Sequence, residues 1–315
     1  MASKLRVVAP KTPSPIVTAV EDYVSASRAR GLSPKTVKFA MGFPLRQIFL
    51  PWCADNGISS PEQLDSRTLV RFQAHLEEHG GKEGTPLKRS SIHSYEKAVK
   101  GLISWLKAEG ENVPGDMKLP RLERRIVQTL TPKEVDQIEA AAISTRDAII
   151  VRLLAETGIR RAECAGLKVK DLLEEGGRQH LLVHGKGRRD RRVPLSPSLF
   201  RRIRKHVSGR SRDQHVFLAL HLQNGEREPL SESGITQMVT NLGELAGLDK
   251  RVTPHLFRHT AATYMLRKGV DSLLVAQVLG HSSLQMIQRV YSHMTPTDAH
   301  VALMKALTAA EDEDE

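Results

Sequence analysis

The stretch TPHLFRH, residues 253–259, decides which kind of site and which fold the chain carries. A helix places its two histidines, spaced i and i+4, on one face. Zinc-metalloprotease helices share this spacing, but in them a glutamate base follows the first histidine. Leu256 occupies that position here, and Arg258 beside the second histidine would repel a metal cation. The stretch therefore favours an anion site over a metal site.

The composition points to a polyanionic partner. The 315 residues include 47 Lys and Arg against 36 Asp and Glu, which gives a net charge of +11. A basic excess of this size is typical of proteins that bind nucleic acid. A merely basic soluble enzyme remains an alternative on composition alone. The length predicts about two domains, each large enough to bury a core.

The excess charge is concentrated in residues 178–212, where Asp190 is the only acidic residue among twelve Lys and Arg. The rest of the chain is neutral on balance. A phosphate backbone would meet this local positive field. Four arginines of the segment are candidate contacts to the DNA backbone: Arg188, Arg189, Arg191 and Arg192.

Two cysteines, Cys53 and Cys164, are too few for a disulfide framework and predict a reducing compartment. The N-terminal residues lack the apolar core of a signal peptide, and no apolar run reaches the length of about 18 residues that a membrane span needs. We therefore expect a cytoplasmic protein without a membrane partner.

The chain divides into five parts by pattern. Residues 1–13 are expected to be disordered, and residues 14–110 to form a helical domain. Residues 111–129, with two prolines and no clean period, predict a linker. Residues 130–296 predict a second domain, and residues 297–315 a C-terminal helix with an acidic tail.

The second domain opens on a capping box, Thr131 to Glu134, with proline at the first helical position. A buried helix is predicted over 146–158, and residues 180–196 predict two short strands around a basic turn. Further helices are predicted near 197–207, 233–246, 254–268, 272–279, 284–292 and 297–309. The predicted fold is mainly α with a small antiparallel β-sheet.

Four stretches of the second domain, in this order, resemble the tyrosine recombinase family, which includes phage integrases and chromosome-dimer resolvases. They are ETGIRRAE (156–163), VHGKGRRDRRVPL (183–195), TPHLFRHTAATYML (253–266) and LGHSSLQMIQRVYSH (279–293). The resemblance spans roughly residues 130–294, and the helical first domain suits the core-binding domain of the family. It implies a site-specific recombinase that cuts DNA through attack of a tyrosine on a phosphodiester and passes through a Holliday junction.

The resemblance assigns the charge-stabilising and nucleophilic roles. Arg160 and Arg258 match the pair that clamps the phosphate, a task that suits planar guanidinium groups, which stay charged and donate paired hydrogen bonds. Tyr291 matches the nucleophile that stays attached to the 3′ phosphate. Glu163, beside this set, is expected to pair with a neighbour rather than to act in catalysis.

The resemblance also assigns the proton-transfer roles. Lys186 matches the general acid that protonates the leaving 5′ oxygen, and His255 the histidine that helps the tyrosine lose its proton. His281 matches a second hydrogen-bond donor to the phosphate. Because the phosphotyrosine conserves the bond energy, the family needs neither a metal nor ATP, so we expect no cofactor.

The partners implied are double-stranded DNA at a recombination site and three further copies of the chain, which make a tetramer on two sites. Members of this family are typically encoded by mobile elements. The sequence does not reveal whether accessory proteins take part. The C-terminal helix packs either on its own domain or on a neighbouring subunit.

Two other functions remain open. A type IB topoisomerase-like enzyme, which nicks and reseals DNA, would use much the same residues without a partner site. A non-catalytic DNA-binding protein would need neither Tyr291 nor Lys186.

Overall fold

The computed structural model describes residues 13–79, 86–120, 128–185, 190–222, 225 and 227–280. The chain separates into two compact units, residues 1–124 and 125–315, each with its own hydrophobic core. Within the described residues, no helix combines the length and the apolar character that a membrane span requires.

The first unit is helical, and most of its described helices begin at a proline or a capping residue. They are α1 (Pro15–Ala29), α2 (Pro34–Thr36), α3 (Leu50–Asp55), α4 (Ser66–His79) and α5 (Arg89–Ala108). Ser33 caps α2 by accepting a hydrogen bond from the Thr36 amide, and Asp65 accepts one from the Thr68 amide at the start of α4. Phe49, Trp52 and Phe72 are buried together at the centre of this core.

The helix type changes near Pro44 and Pro51. Pro44 and Pro51 predict a kink or a division, because proline lacks an N–H and its ring crowds the preceding turn. The structure instead has two π-helical segments, Val37–Gly42 and Leu45–Phe49, between α2 and α3. Such wide turns relieve the crowding within one helical path.

The predicted linker, residues 111–129, is wrong in its first part. Val113 and Met117 are buried in the core of the first unit, and the Gly115 amide donates to the Leu64 carbonyl at 2.8 Å. The prolines and the lack of period predict an exposed spacer, but every second residue from 113 to 117 is buried. The segment therefore belongs to the first unit.

The second unit surrounds one buried helix. Its helices are α6 (Pro132–Ala140), α7 (Thr145–Thr157), α8 (Arg161–Gly166), α9 (Pro197–His206), α10 (Glu232–Leu245), α11 (Pro254–Arg267) and α12 (Ser272–Leu279). Five apolar residues of α7 are fully buried: Ile149, Ile150, Val151, Leu153 and Leu154. The predicted capping box is confirmed, because the Thr131 amide donates to Glu134 and the Glu134 amide donates to Thr131.

The sheet has one strand more than the pattern predicts. Strands β1 (Leu172–Glu175), β2 (Arg178–Val183) and β3 (Arg191–Pro194) form an antiparallel sheet in the order β1-β2-β3. The two residues between β1 and β2, Gly176 and Gly177, have φ of 57° and 73°, the conformation that a tight hairpin of this twist requires. The sequence LLEE of β1 does not alternate apolar and polar residues, so the strand pattern does not reveal it.

The predicted fold class, mainly α with a small antiparallel sheet, is confirmed by these elements. The predictions for residues 1–12, for the helices near 284–292 and 297–309, and for the acidic tail lie outside the described residues.

Replacement of Met117 by alanine tests whether residues 113–117 belong to the first unit. The side chain is fully buried, so Met117→Ala should lower the free energy of unfolding by about 2–5 kcal/mol. The neighbouring Asp116 is exposed, so Asp116→Ala should change it by less than about 0.5 kcal/mol. Denaturant unfolding of the full chain, followed by circular dichroism, measures both. Equal stability of the two variants would restore the linker interpretation.

Candidate active site

The end of α7 and the start of α11 meet at Gly158, the glycine of the TGIR stretch. Gly158 ends α7 in the left-handed conformation, with φ of 60°. A Cβ atom there would lie 2.8 Å from Leu279 Cδ2 and 2.9 Å from Ala261 Cβ. Only glycine therefore allows α11 and α12 to approach the end of α7 this closely.

Arg258 lies at the centre of this contact and is only 4% exposed. Its guanidinium donates to the carbonyl of Gly158 at 2.7 Å and to that of Leu279 at the end of α12. Burial, and next the positive charge of Arg160, lower the pKa of Arg258 to about 9. The group is still charged at neutral pH, and its environment favours the arrival of an anion.

Arg160 caps the start of α8 and reaches the same place from the surface. One guanidinium nitrogen donates to the Gly280 carbonyl at 2.6 Å, and the other to Glu163 at 2.9 Å. The side chain is 43% exposed, so its remaining N–H groups are accessible to a ligand from solvent. Arg160 and Arg258, predicted as a pair, are brought together by the structure at the end of α12.

Glu163 lies beneath the two arginines with a side chain only 6% exposed. As expected from the sequence, it pairs with its neighbours: Arg160 on one side and Arg191 on the other. Burial opposes its ionisation, but the hydrogen bonds from Arg191 and Arg160 outweigh burial and hold the pKa of Glu163 below its usual value. Glu163 is therefore a carboxylate that partly neutralises the arginine cluster.

Arg191 differs from its predicted role as a contact to the DNA backbone. Its side chain is 9% exposed, and two of its nitrogens donate to the two oxygens of Glu163 at 2.9 and 2.8 Å. Its Nε donates to the carbonyl of Val278 at 2.6 Å. Alternation along β3 is the signal that would have found this, because Arg191 shares the strand face of the buried Val193. Arg192 points the other way, is exposed and pairs with Glu175.

The two histidines of HLFRH contact each other. The Nε2 atoms of His255 and His259 are 2.9 Å apart, the distance of an N–H···N hydrogen bond, so one ring donates and the other accepts. Desolvation, and next the charge of Arg258, lower the pKa of His255, which is therefore neutral at neutral pH. Among the described residues, no three His, Cys, Asp or Glu side chains are grouped to hold a metal ion.

The remaining predicted site residues lie outside the described residues: Lys186, Arg188, Arg189, His281 and Tyr291. Two of them nevertheless follow closely on described residues in the chain. Lys186 follows β2 by three positions, and His281 directly follows Gly280, whose carbonyl Arg160 binds. The catalytic roles of all six predicted residues stay predictions.

These residues form a cluster of three guanidinium groups, two of which, those of Arg160 and Arg191, pair with the carboxylate of Glu163. Residues 128–298 of the chain match the model of the phage integrase family. The chain belongs to this family. The prediction of a tyrosine recombinase, drawn from four short stretches, is confirmed, and the protein is a tyrosine-type site-specific recombinase.

Two curated relatives are similar over most of their length. Tyrosine recombinase XerA of Pyrococcus horikoshii is 31% identical over 243 residues, which cover 76% of this chain and 80% of the relative. Tyrosine recombinase XerC 2 of Ralstonia nicotianae is 31% identical over 288 residues, which cover 88% and 81%. The fold also matches a solved lambda integrase tetramer bound to a Holliday junction, with a TM-score of 0.64, 17% identity, and coverage of 89% of this chain and 78% of that one.

At the base of the hairpin that carries Lys186, the recombinase has a histidine between two carboxylates. His184 lies 2.9 Å from Asp190 through Nδ1 and 3.2 Å from the buried Asp171 through Nε2. The hydrogen bonds that His184 makes to Asp190 and then to Asp171 raise the pKa of His184. Only the protonated ring donates to both carboxylates, so protonation ties the two sides of the hairpin base together.

This contact predicts a pH-dependent contribution to stability. Since the folded-state pKa of His184 is raised, the contribution should be complete below about pH 6.5, the ordinary value, and should disappear as the pH rises through the raised value. The free energies of unfolding of wild type and His184→Ala, measured across this range, should therefore converge at high pH. Asp190→Asn, which removes the main partner, should move the convergence to lower pH. A difference that is constant with pH would exclude the role of the charged ring.

Proposed function

We propose that this recombinase cuts and rejoins specific DNA sites through a 3′-phosphotyrosine intermediate and a Holliday junction, with Tyr291 as the nucleophile. The observation that carries the proposal is the convergence of Arg160 and Arg258 at the end of α12, immediately before His281 in the chain. Two of the matched residues, about 100 positions apart in the chain, thus meet at the turn that directly precedes His281.

The arginine pair supplies what the reaction needs most. Attack on a phosphodiester gathers negative charge on the non-bridging oxygens, and fixed donors aimed at that charge stabilise the transition state. Arg258 binds the carbonyl groups of Gly158 and Leu279, and Glu163 shares its carboxylate between Arg160 and Arg191. The cluster therefore has positive charge in excess, which a phosphate would compensate.

Lys186 and His255 carry out the proton transfers of the proposed reaction. His255 is neutral at neutral pH because its pKa is lowered, so it can accept the proton of the attacking tyrosine. Lys186 would protonate the leaving 5′ oxygen, and His281 would donate a further hydrogen bond to the phosphate. The phosphotyrosine keeps the bond energy, so the cycle needs neither a metal ion nor ATP.

The proposed assembly is a tetramer on two DNA sites, supported by the fold that this chain shares with a lambda integrase tetramer on a Holliday junction. In it, residues 130–296 form the catalytic domain and residues 14–110, extended by the segment to 120, form the core-type DNA-binding domain. Arg188, Arg189 and Arg192 remain candidates for contact with the DNA backbone, whereas Arg191 does not.

Loss of the tyrosine oxygen tests the proposal most simply. Tyr291→Phe should bind DNA as the wild type does and form no covalent complex with a nicked suicide substrate, because phenylalanine has no nucleophile. Denaturing electrophoresis detects the complex, in parallel reactions with and without EDTA. Tyr264→Phe, an exposed tyrosine of α11, is the matched control and should react normally.

The outcomes separate the alternatives. A covalent band in Tyr291→Phe would show that another residue attacks, and inhibition of the wild type by EDTA would show that a metal takes part. A wild type that relaxes supercoiled DNA but never exchanges strands between two sites would favour the topoisomerase-like function. A wild type that binds without any covalent band would favour the DNA-binding function.

A further inference from the structure

The Arg191 side chain is almost fully buried and binds two other segments of the second unit. It donates a forked pair of hydrogen bonds to both oxygens of Glu163, and its Nε donates to the Val278 carbonyl. Forked arginine–carboxylate pairs fix geometry as well as charge, because both groups are planar. With a side chain 9% exposed, Arg191 is shielded from a DNA backbone.

Three arginines hold three consecutive carbonyl groups at the end of α12. Arg191 binds the carbonyl of Val278, Arg258 that of Leu279 and Arg160 that of Gly280. The last carbonyls of a helix have no partner within the helix and carry partial negative charge, so they are natural acceptors for cations. The end of α12 is therefore fixed by tertiary contacts rather than by its own turn alone.

Gly280 is fitted to this arrangement. It ends α12 with φ of 66°, and a Cβ atom there would lie 2.8 Å from an Nη1 atom and 2.9 Å from the Cζ atom of Arg191. The guanidinium thus lies directly against the backbone that leads to His281. Any shift of Arg191 would move this turn or would separate it from Glu163.

We propose that Arg191 is a positioning residue for strand cleavage: through Glu163 it orients Arg160, and through Val278 it fixes the turn before His281. The proposal rests on the proposed function. Arg191 also begins β3, five positions after Lys186, so its side chain joins the strand that follows Lys186 to the arginine cluster. Its exposed neighbour Arg192, paired with Glu175 outside the cluster, makes none of these contacts.

Arg191→Lys is the decisive variant, because lysine keeps the charge beside Glu163 but loses the fork and the Nε–H that binds Val278. We expect it to bind a single DNA site with unchanged affinity and to form the covalent complex about 100-fold more slowly, since small displacements of catalytic groups cost this much. Arg152→Lys, at an arginine of α7 that pairs with Glu139 and Asp136 outside the cluster, is the matched control and should cleave at the wild-type rate. Gel shifts, single-turnover cleavage of a suicide substrate and thermal unfolding measure the three properties.

A second variant tests the same role of Arg191 if Arg191→Lys does not fold. Gly280→Ala leaves every charge in place but displaces the Arg191 guanidinium, and it should slow cleavage without weakening DNA binding. Combined with Glu163→Gln, Arg191→Lys should slow cleavage by less than the product of the single effects, because the two residues act as one unit.

The results that overturn the inference are distinct from those that overturn the function. If the wild type forms the covalent complex and Arg191→Lys forms it equally fast, Arg191 is not a positioning residue. If Arg191→Lys loses DNA affinity and flattens its salt dependence while its cleavage rate at saturation is unchanged, Arg191 contacts a phosphate instead. A wild type without a covalent complex overturns the proposed function, and this role with it.

Discussion

The contact of three guanidinium groups with the end of α12 is the constraint on which the rest of the second unit depends. Arg258 reaches it from α11, Arg160 from the turn after α7, and Arg191 from β3. Four separate elements are thereby joined at one point, around the single carboxylate of Glu163. Gly158 and Gly280 permit the approach, because a side chain at either position would collide with the packed neighbours. The apolar core behind this point, centred on α7, holds the elements rigid.

The same cluster explains how a stable fold retains a reactive positive site. Buried like charges repel, and burial opposes the ionisation of each, which lowers the pKa of Arg258 to about 9. Glu163 and the carbonyl groups of the helix ends accept hydrogen bonds from the guanidinium groups and so stabilise the cluster. One carboxylate does not balance three positive charges. The remaining charge is available to a phosphate, and the accessible part of Arg160 faces solvent. Positioning and electrostatics therefore come from one set of contacts.

The sequence predicts local structure well where a cap, a proline or a period determines it, as at Thr131 and along α7. It does not reveal β1, which lacks alternation, nor the burial of Val113 and Met117 in a segment that reads as a spacer. Strand alternation with Val193 predicts that Arg191 is buried, whereas the charge of the surrounding segment favours an exposed side chain. The convergence of the arginines could not be predicted from spacing, because Arg258 meets Gly158 across 100 positions and Arg160 meets Gly280 across 120. Only the resemblance to a known family predicts Arg160 and Arg258 as a pair.

Under the proposed function, the arginine cluster neutralises the charge of the scissile phosphate. The most direct measurement compares Arg160→Ala with the wild type on two suicide substrates, one with the natural phosphodiester and one with a neutral methylphosphonate at the cleavage position. On the natural substrate, Arg160→Ala should form the covalent complex about 100- to 1000-fold more slowly, the usual effect of removing one oxyanion donor. On the methylphosphonate, most of this difference should disappear, because the charge that Arg160 offsets is absent. An equal loss on both substrates would show that Arg160 does not offset the charge of the phosphate. Arg160 would then be a purely structural residue.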